Sequence, residues 1–331
     1  GINLPANGPR VLRLLGLGEA VAAASAVIPH WGFFGQQAEP LCLTDLETLW
    51  QEVGPCLGIE RTELQAALLT GAASVPSRLG VAITSLAQDG TRAYAGLSDG
   101  TSREYDLVVG ADGISSTVRA LVVSPVRASY AGQVAWRSVI ATRPSGVTGV
   151  MVLLGDGCFF GLVPVGSGRT YGFGAVDAER LDDPLPGRLA RFRDRFADFG
   201  GPVPAYLAAL EQDEQLHFGP IEWVELDHWH QGRVVLIGDA AHAAPPHMGE
   251  GGCMAMEDAF VLAEVLRAVD TVEDALEIYI ERRRPRVGWV QDQSRAAARA
   301  WVLPVEVRNA ALRERGDQMF QDRYRPLIPP P

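Results

Sequence analysis

One segment constrains the fold of this chain more than any other: Arg233-Val-Val-Leu-Ile-Gly-Asp-Ala-Ala-His242, continued by Ala243-Ala-Pro-Pro-His-Met-Gly-Glu-Gly-Gly-Cys-Met-Ala-Met-Glu-Asp258. An apolar run without alternation, a Gly-Asp step, a turn rich in Pro and Gly and a helical pattern from about Gly251 predict a buried parallel strand, a loop and a helix. Strand ends aimed at helix N-termini make ligand crevices. Asp239, at the carboxyl end of the strand, can accept hydrogen bonds from ribose or ribityl hydroxyls. Gly249, Gly251 and Gly252 let backbone approach a flat ligand, and the N–H groups of the helix start favour negative charge. The plainer reading is a Gly-rich strand-to-helix loop with a helix cap. Pro245 and Pro246 next to the glycine cluster weigh against it.

A second segment repeats that architecture: Tyr105-Asp-Leu-Val-Val-Gly-Ala-Asp-Gly-Ile-Ser-Ser-Thr-Val-Arg119 predicts a strand, a Gly-containing turn and a short helix. Asp112 falls where a carboxylate can meet a ribose or pyrophosphate through water, with Arg119 on the helix. Read alone, the segment is also an ordinary strand and a helix capped by Ser115 or Ser116.

Elsewhere, Val11, Leu12, Leu14, Leu15 and Leu17 recur at helical spacing within residues 8–24, and residues 60–69 repeat the pattern. The Asp89-Gly90 and Asp99-Gly100 steps predict a three-stranded meander between Val81 and Val109. Residues 133–176 read as strands of a second sheet, followed by a polar helix over 188–199, a strand over 216–226 and a charged helix over 271–299. The proline-rich end, 326–331, reads as loose.

Composition serves mainly to exclude. The 29 Lys and Arg residues are all arginine, which removes Schiff-base and pyridoxal-phosphate chemistry and the lysine of a P-loop. Forty acidic residues leave a net charge of −11, which disfavours nucleic acid and anionic membrane as partners and points to a small ligand. Cys42, Cys56, Cys158 and Cys253 form no CxxC pair, so a disulfide framework and a thiolate zinc site are not expected and a reducing cytoplasm fits. No apolar run approaches the ~20 residues that span a bilayer. Asp239, His242 and His247, with His228 and His230 upstream, invite a metal-hydrolase reading, but the spacing matches no recognised zinc signature and no metal is expected. The His228-Trp229-His230 stretch reads most simply as a solvated loop. A nucleophilic-serine hydrolase is not expected.

The two motif segments, in this order and at this separation, resemble the single-component FAD-dependent aromatic hydroxylases of the para-hydroxybenzoate and salicylate hydroxylase type, over nearly the whole length. The resemblance implies an α/β fold: a Rossmann-like FAD-binding domain, N-terminally incomplete, with a second, mixed β-sheet substrate domain and C-terminal helices. On that basis residues 1–125 are the first part of the FAD-binding domain, 126–226 the substrate sheet, and 227–331 the second FAD-binding part with the C-terminal helices. It further implies flavin contacts from Gly238, Asp239, Gly249, Gly251, Gly252 and Cys253, with Pro245 and Pro246 walling the ring. Asp112 is implied to contact FAD and reduced nicotinamide, and Arg61 of Ile59-Glu-Arg-Thr-Glu-Leu64 to reach the cofactor. Gly1-Ile-Asn-Leu-Pro-Ala-Asn-Gly8 resembles the stretch lying along the flavin. Gly132-Gln-Val-Ala-Trp-Arg137 and Pro164-Val-Gly-Ser-Gly-Arg-Thr-Tyr-Gly172 resemble substrate-domain strands. Arg169 and His247, with Arg137 and Tyr171, are the candidates to orient the substrate.

The implied reaction is hydroxylation. NADH or NADPH reduces FAD, dioxygen adds at flavin C4a, and the distal oxygen of the hydroperoxide passes to an aromatic or heteroaromatic small molecule. Such proteins begin with a strand and G-x-G-x-x-G; Gly16-Leu-Gly18 is no substitute, reading as a helix C-cap, and that unit is expected upstream of Gly1. The competing expectation is a truncated or degenerate flavoprotein-like accessory or binding protein without catalysis.

Overall fold

In the computed structural model, which describes all 331 residues, the chain divides into one unit of residues 1–71, 131–221 and 296–330 and a second of residues 72–130, 222–295 and Pro331. The first is built on a seven-stranded sheet in the order His217–Trp223, Ser129–Ile140, Thr170–Asp177, Cys158–Pro164, Val150–Leu154, His30–Gly35 and Pro40–Asp45. Val150–Leu154 runs parallel to His30–Gly35, while Thr170–Asp177 is antiparallel to both of its neighbours.

Side chains alternate across a strand, so the adjacent Phe159 and Phe160 point to opposite faces. Phe160 joins Phe192, Phe196, Phe199 and Tyr206 with ring centroids 5.2–6.2 Å apart. Phe159 meets Trp301 edge-on at 4.5 Å. Burying an aromatic ring of this kind stabilises by about 1.5–3 kcal/mol, so rings contribute to the core on both faces. Room for the first comes from Gly172 and Gly174: a Cβ would lie 2.3 Å from the Tyr206 ring at one and 2.5 Å from the Phe196 ring at the other. The strand therefore offers Tyr171 and Phe173 to one face and bare backbone to the rings of the 188–210 region on the other.

The second unit carries the two motif segments as neighbouring parallel strands. Val108–Gly110 lies beside Val234–Leu236, with Val234 opposite Val108 and Leu236 opposite Gly110. Because they are parallel, both strands end at the same edge, and the Ile237 N–H donates to the Gly110 carbonyl at 3.0 Å. The turns after Gly110 and Leu236 thus leave the sheet side by side. Gly238 has φ +57° and ψ −144°, a conformation that costs an L side chain dearly, and a Cβ there would also press to 3.0 Å from that of Ala255. The 18-residue helix Gly251–Ala268 follows, starting at the expected glycines. The meander Ile83–Gln88, Ala93–Leu97 and Ser102–Tyr105 forms with the expected turn chemistry: Asp89 accepts from the Thr91 and Arg92 N–H groups and Asp99 from that of Thr101.

Residues 8–24 hold two helices, Asn7–Leu14 and Gly18–Ala23; Gly16 takes φ +75° and ends the first, the helix C-cap read from Gly16-Leu-Gly18. Two expectations fail locally. The C-terminal tail is not loose: Arg10 donates to the carbonyls of Ile328 (2.6 Å) and Pro329 (2.9 Å), Arg282 donates to that of Pro331 (2.6 Å), and Leu327 is fully buried. Prolines lack N–H groups, yet their carbonyls still accept, and arginine donors supply what a helix cannot. The stretch around Trp229 is not solvated, since the indole is buried against His242 (4.9 Å) and Tyr279 (6.3 Å). Only His228 of the three residues stays exposed.

Candidate active site

In the second unit the Asp239 side chain stands exposed at the end of the 234–236 strand and accepts no hydrogen bond from the protein. Facing it is the start of the 251–268 helix, where a Cβ on Gly251 would meet a single atom within 4 Å, the Asp239 Oδ1 at 3.9 Å. The N–H groups of Gly251, Gly252 and Cys253 precede the first bond of the helix, from the Met254 N–H to the Glu250 carbonyl at 2.8 Å. Pro245 is buried and Pro246 exposed, His247 sits buried in the 3-10 turn Pro246–Met248, and Gly249 closes that turn with φ +66°. A carboxylate open to hydroxyl groups beside backbone donors open to negative charge, with no side chain between, is a donor set that fits a flavin nucleotide. No group of three or more His, Cys, Asp or Glu side chains gathers as a metal site.

Behind this loop lies a buried polar network. Asp258 Oδ2 accepts from the Gly238 N–H (2.8 Å) and contacts His242 Nε2 (2.6 Å), and its Oδ1 accepts from Arg283 Nε (2.8 Å). Arg283 also donates to Glu257 (2.7 Å), which Arg286 clasps with both of its arms at 2.8 Å. Glu257, Asp258 and Arg283 are fully buried. Burial alone would raise the Asp258 pKa, but His242 and the Arg283 guanidinium outweigh it and hold the carboxyl below its usual range. Burial likewise opposes the charge on Arg283, and Asp258 and Glu257 overcome it and raise its pKa. Sequence reading missed this network, although a signal was there. Met254, Asp258, Val261, Leu262 and Val265 form the buried stripe of the helix, and a carboxylate on such a stripe demands partners.

The turn after Val108–Gly110 is held from within. Asp112 accepts from the Ser116 hydroxyl (2.5 Å) and from the N–H groups of Thr117 (2.7 Å) and Val118 (3.0 Å). Ser116 in turn accepts from the Arg119 N–H at 2.9 Å. Buried Arg119 donates to the carbonyls of Ile114, Val126 and Ala240, tying the first motif turn to the second. Asp112 is exposed, so its carboxylate shapes the turn and still faces solvent.

The first unit gathers a different cluster. Arg137 stands opposite Phe173, and Val139 opposite Tyr171, so Arg137 and Tyr171 share one sheet face. Burial raises the pKa of the Tyr171 phenol, against the lowering pull of the Arg137 and Arg61 guanidiniums. Arg61 opens the helix Arg61–Gly71 from the exposed side. Arg169, at the base of the tight 165–169 turn, forms an ion pair with Glu60 and keeps 42% of its side chain exposed. Of the expected substrate residues, Arg137, Arg169 and Tyr171 lie in this unit with Arg61, while His247 belongs to the second. Glu60 as the partner of Arg169 was not foreseen.

One unit ends two parallel strands at one edge in Gly-Asp and Asp-Gly turns and the other is an aromatic-lined mixed sheet; with the relatives below, the class is that of FAD-dependent hydroxylase flavoproteins. The chain belongs to the FAD binding domain family, whose profile matches residues 9–294. It is 32% identical over 282 residues to the aurachin C monooxygenase/isomerase of Stigmatella aurantiaca, covering 84% of this chain and 73% of that protein. To the FAD-dependent urate hydroxylase of Klebsiella pneumoniae it is 30% identical over 296 residues, covering 85% and 75%. The solved structure of Klebsiella pneumoniae HpxO complexed with FAD and uric acid superposes with a TM-score of 0.91 at 26% identity, over 99% of this chain and 87% of that one. The chain is accordingly an enzyme of the FAD-dependent monooxygenase and hydroxylase class, with the mixed α/β fold of its relatives.

Proposed function

We propose that this enzyme uses NADH or NADPH and dioxygen to hydroxylate an electron-rich aromatic or heteroaromatic small molecule that carries an anionic or carbonyl group. The observation that carries the reading is that Arg137 and Tyr171 share one face of the sheet, with Arg61 near enough to pull on the Tyr171 phenol and the Arg169–Glu60 pair in the turn just before the same strand. Guanidiniums on the face that carries an aromatic ring suit a planar, oxygen-bearing substrate. The similarity to enzymes named for uric acid and quinolone-type chemistry supports the same class.

When bound, FAD supplies the electrons taken from the nicotinamide and the oxygen activation. Asp239 takes its hydroxyl groups, and the N–H groups of Gly251, Gly252 and Cys253 stabilise negative charge on its ring. Pro245 and Pro246 wall the ring, Asp112 orders the neighbouring turn, and Arg61 contributes positive charge. Arg137 and Tyr171 hold the substrate's polar edge, and Arg169 is free to exchange Glu60 for the substrate because the pair is partly solvated and cheap to break. His247, buried beside Gly249, orders the loop that carries these donors. The two motif turns thereby form the cofactor region and the seven-stranded sheet the substrate region. The four cysteines are free thiols, which suits a cytoplasmic setting, and no helix is long and apolar enough to cross a membrane.

The test compares hydroxylated product formed per nicotinamide consumed in the parent and in Arg169→Lys at equal flavin content, across uric acid, quinolones and hydroxybenzoates. The expected result is a higher substrate requirement or a lower ratio with peroxide released, since lysine cannot reproduce the forked hydrogen bonds. An unchanged ratio and unchanged substrate dependence would remove Arg169 from the site.

A further inference from the structure

We infer that Asp258 is a positioning residue for the cofactor, setting where the Asp239 carboxylate stands relative to the start of the 251–268 helix. The inference rests on the reading above that Asp239 holds FAD. Asp258 lies two turns into that helix and receives the Gly238 N–H at 2.8 Å and His242 Nε2 at 2.6 Å on one oxygen, and Arg283 Nε at 2.8 Å on the other. The Gly238 carbonyl meanwhile accepts from the Ala241 and His242 N–H groups, each at 2.9 Å. Gly238 is thus gripped on both sides of its Cα, in a backbone conformation (φ +57°, ψ −144°) that has no favourable basin of its own for other residues.

Asp239 is the next residue, so rotating Gly238 swings its carboxylate. One helix therefore fixes both halves of the donor set: its first turn supplies the N–H groups, and its Asp258 anchors the carboxylate beside them, whose Oδ1 is the nearest atom a Cβ on Gly251 would meet. Arg283 and Glu257 keep the anchor from moving, since neither has exposed surface and each is paired. A carboxylate with three donors on two oxygens is matched in number, and an amide in its place is not. The side chain introduced by Asp258→Asn would turn its NH2 group either toward Arg283 Nε or toward the Gly238 N–H, and each meets a donor with a donor.

The experiment is a double-mutant cycle on the FAD dissociation constant, read by quenching of flavin fluorescence as FAD is added to the flavin-stripped full chain. The variants are Asp258→Asn, Asp239→Ala and both together, with the melting temperature measured on each without flavin. The expected outcome is that Asp258→Asn weakens FAD binding by about tenfold or more, and that adding it to Asp239→Ala costs less than about twofold further, because its effect runs through Asp239. Multiplying effects would overturn the proposal and leave Asp258 a general stabiliser, as would an unchanged affinity in Asp258→Asn. An unchanged affinity in Asp239→Ala would instead overturn the reading of Asp239 itself. Should Asp258→Asn not fold, His242→Phe keeps a ring against Trp229 and removes one contact to Asp258, and the same cycle with Asp239→Ala decides by the same criterion.

Discussion

Replacing Asp239 by Ala separates cofactor binding from folding unusually cleanly, because the side chain is exposed and accepts no hydrogen bond from the protein. Nothing in the fold loses a partner, so the flavin-free melting temperature should stay where it is; surface substitutions of this sort change stability by no more than about 0.5 kcal/mol. The bound cofactor loses a charge-assisted hydrogen bond to its hydroxyl groups, worth about 1.5–3 kcal/mol. At about 1.4 kcal/mol per factor of ten, the FAD dissociation constant should rise roughly tenfold to over a hundredfold. Titration with FAD followed by fluorescence quenching gives the affinity, and differential scanning fluorimetry without flavin gives the stability. An affinity equal to that of the parent would refute the placement of the Gly-Asp turn at the cofactor. A collapse in melting temperature would refute the claim that this carboxylate has no structural role.

Two further outcomes follow from the packing and the buried charges. Gly174→Val puts branched methyl groups where a Cβ alone would lie 2.5 Å from the Phe196 ring, and overpacking of this kind should cost at least about 1–3 kcal/mol in urea unfolding; a midpoint like the parent's would mean that the helix carrying Phe192 moves freely. The Asp258 carboxyl is held below its usual range, so its contribution is complete above the unfolded-state value of ~3.9 and is lost as pH falls through the lower folded value. The melting temperature of Asp258→Asn should therefore depend less on pH below about 4 than that of the parent, and equal dependence in calorimetry would count against the network as described.

The strands, the meander and the start of the long helix were legible because each has a local cause: apolar runs, Asp-Gly turns, glycines at a helix start. The pairing of 108–110 with 234–236 was not written locally, though two segments of the same strand-turn-helix form hinted at it. Trp229 looked like a loop residue because its neighbours are histidines, and its burial depends on Tyr279, fifty residues on in sequence. Asp258 closed the motif as a residue without a role, since its three donors come from Gly238, His242 and Arg283, of which only the last lies further along the chain. The ion pair of Arg169 with Glu60 was invisible for the same reason: it joins a hairpin turn to the residue before a helix. Ion pairs of this type arise from tertiary placement, whereas the two motif turns follow from spacing.

The parallel pairing of Val108–Gly110 with Val234–Leu236 also sets a timetable. Everything from residue 111 to residue 233 must emerge, and the seven-stranded sheet's long antiparallel run lies within that excursion, before the later strand can dock on the earlier one. The entropic toll of so long an excursion is modest, rising by only about 0.6 kcal/mol with each doubling of its length, but the contact it closes is among the most distant in the chain, and distant contacts form slowly. On a ribosome adding about 5–20 residues per second, the earlier strand waits several seconds with its edge open. During that interval the first motif turn exists without the second.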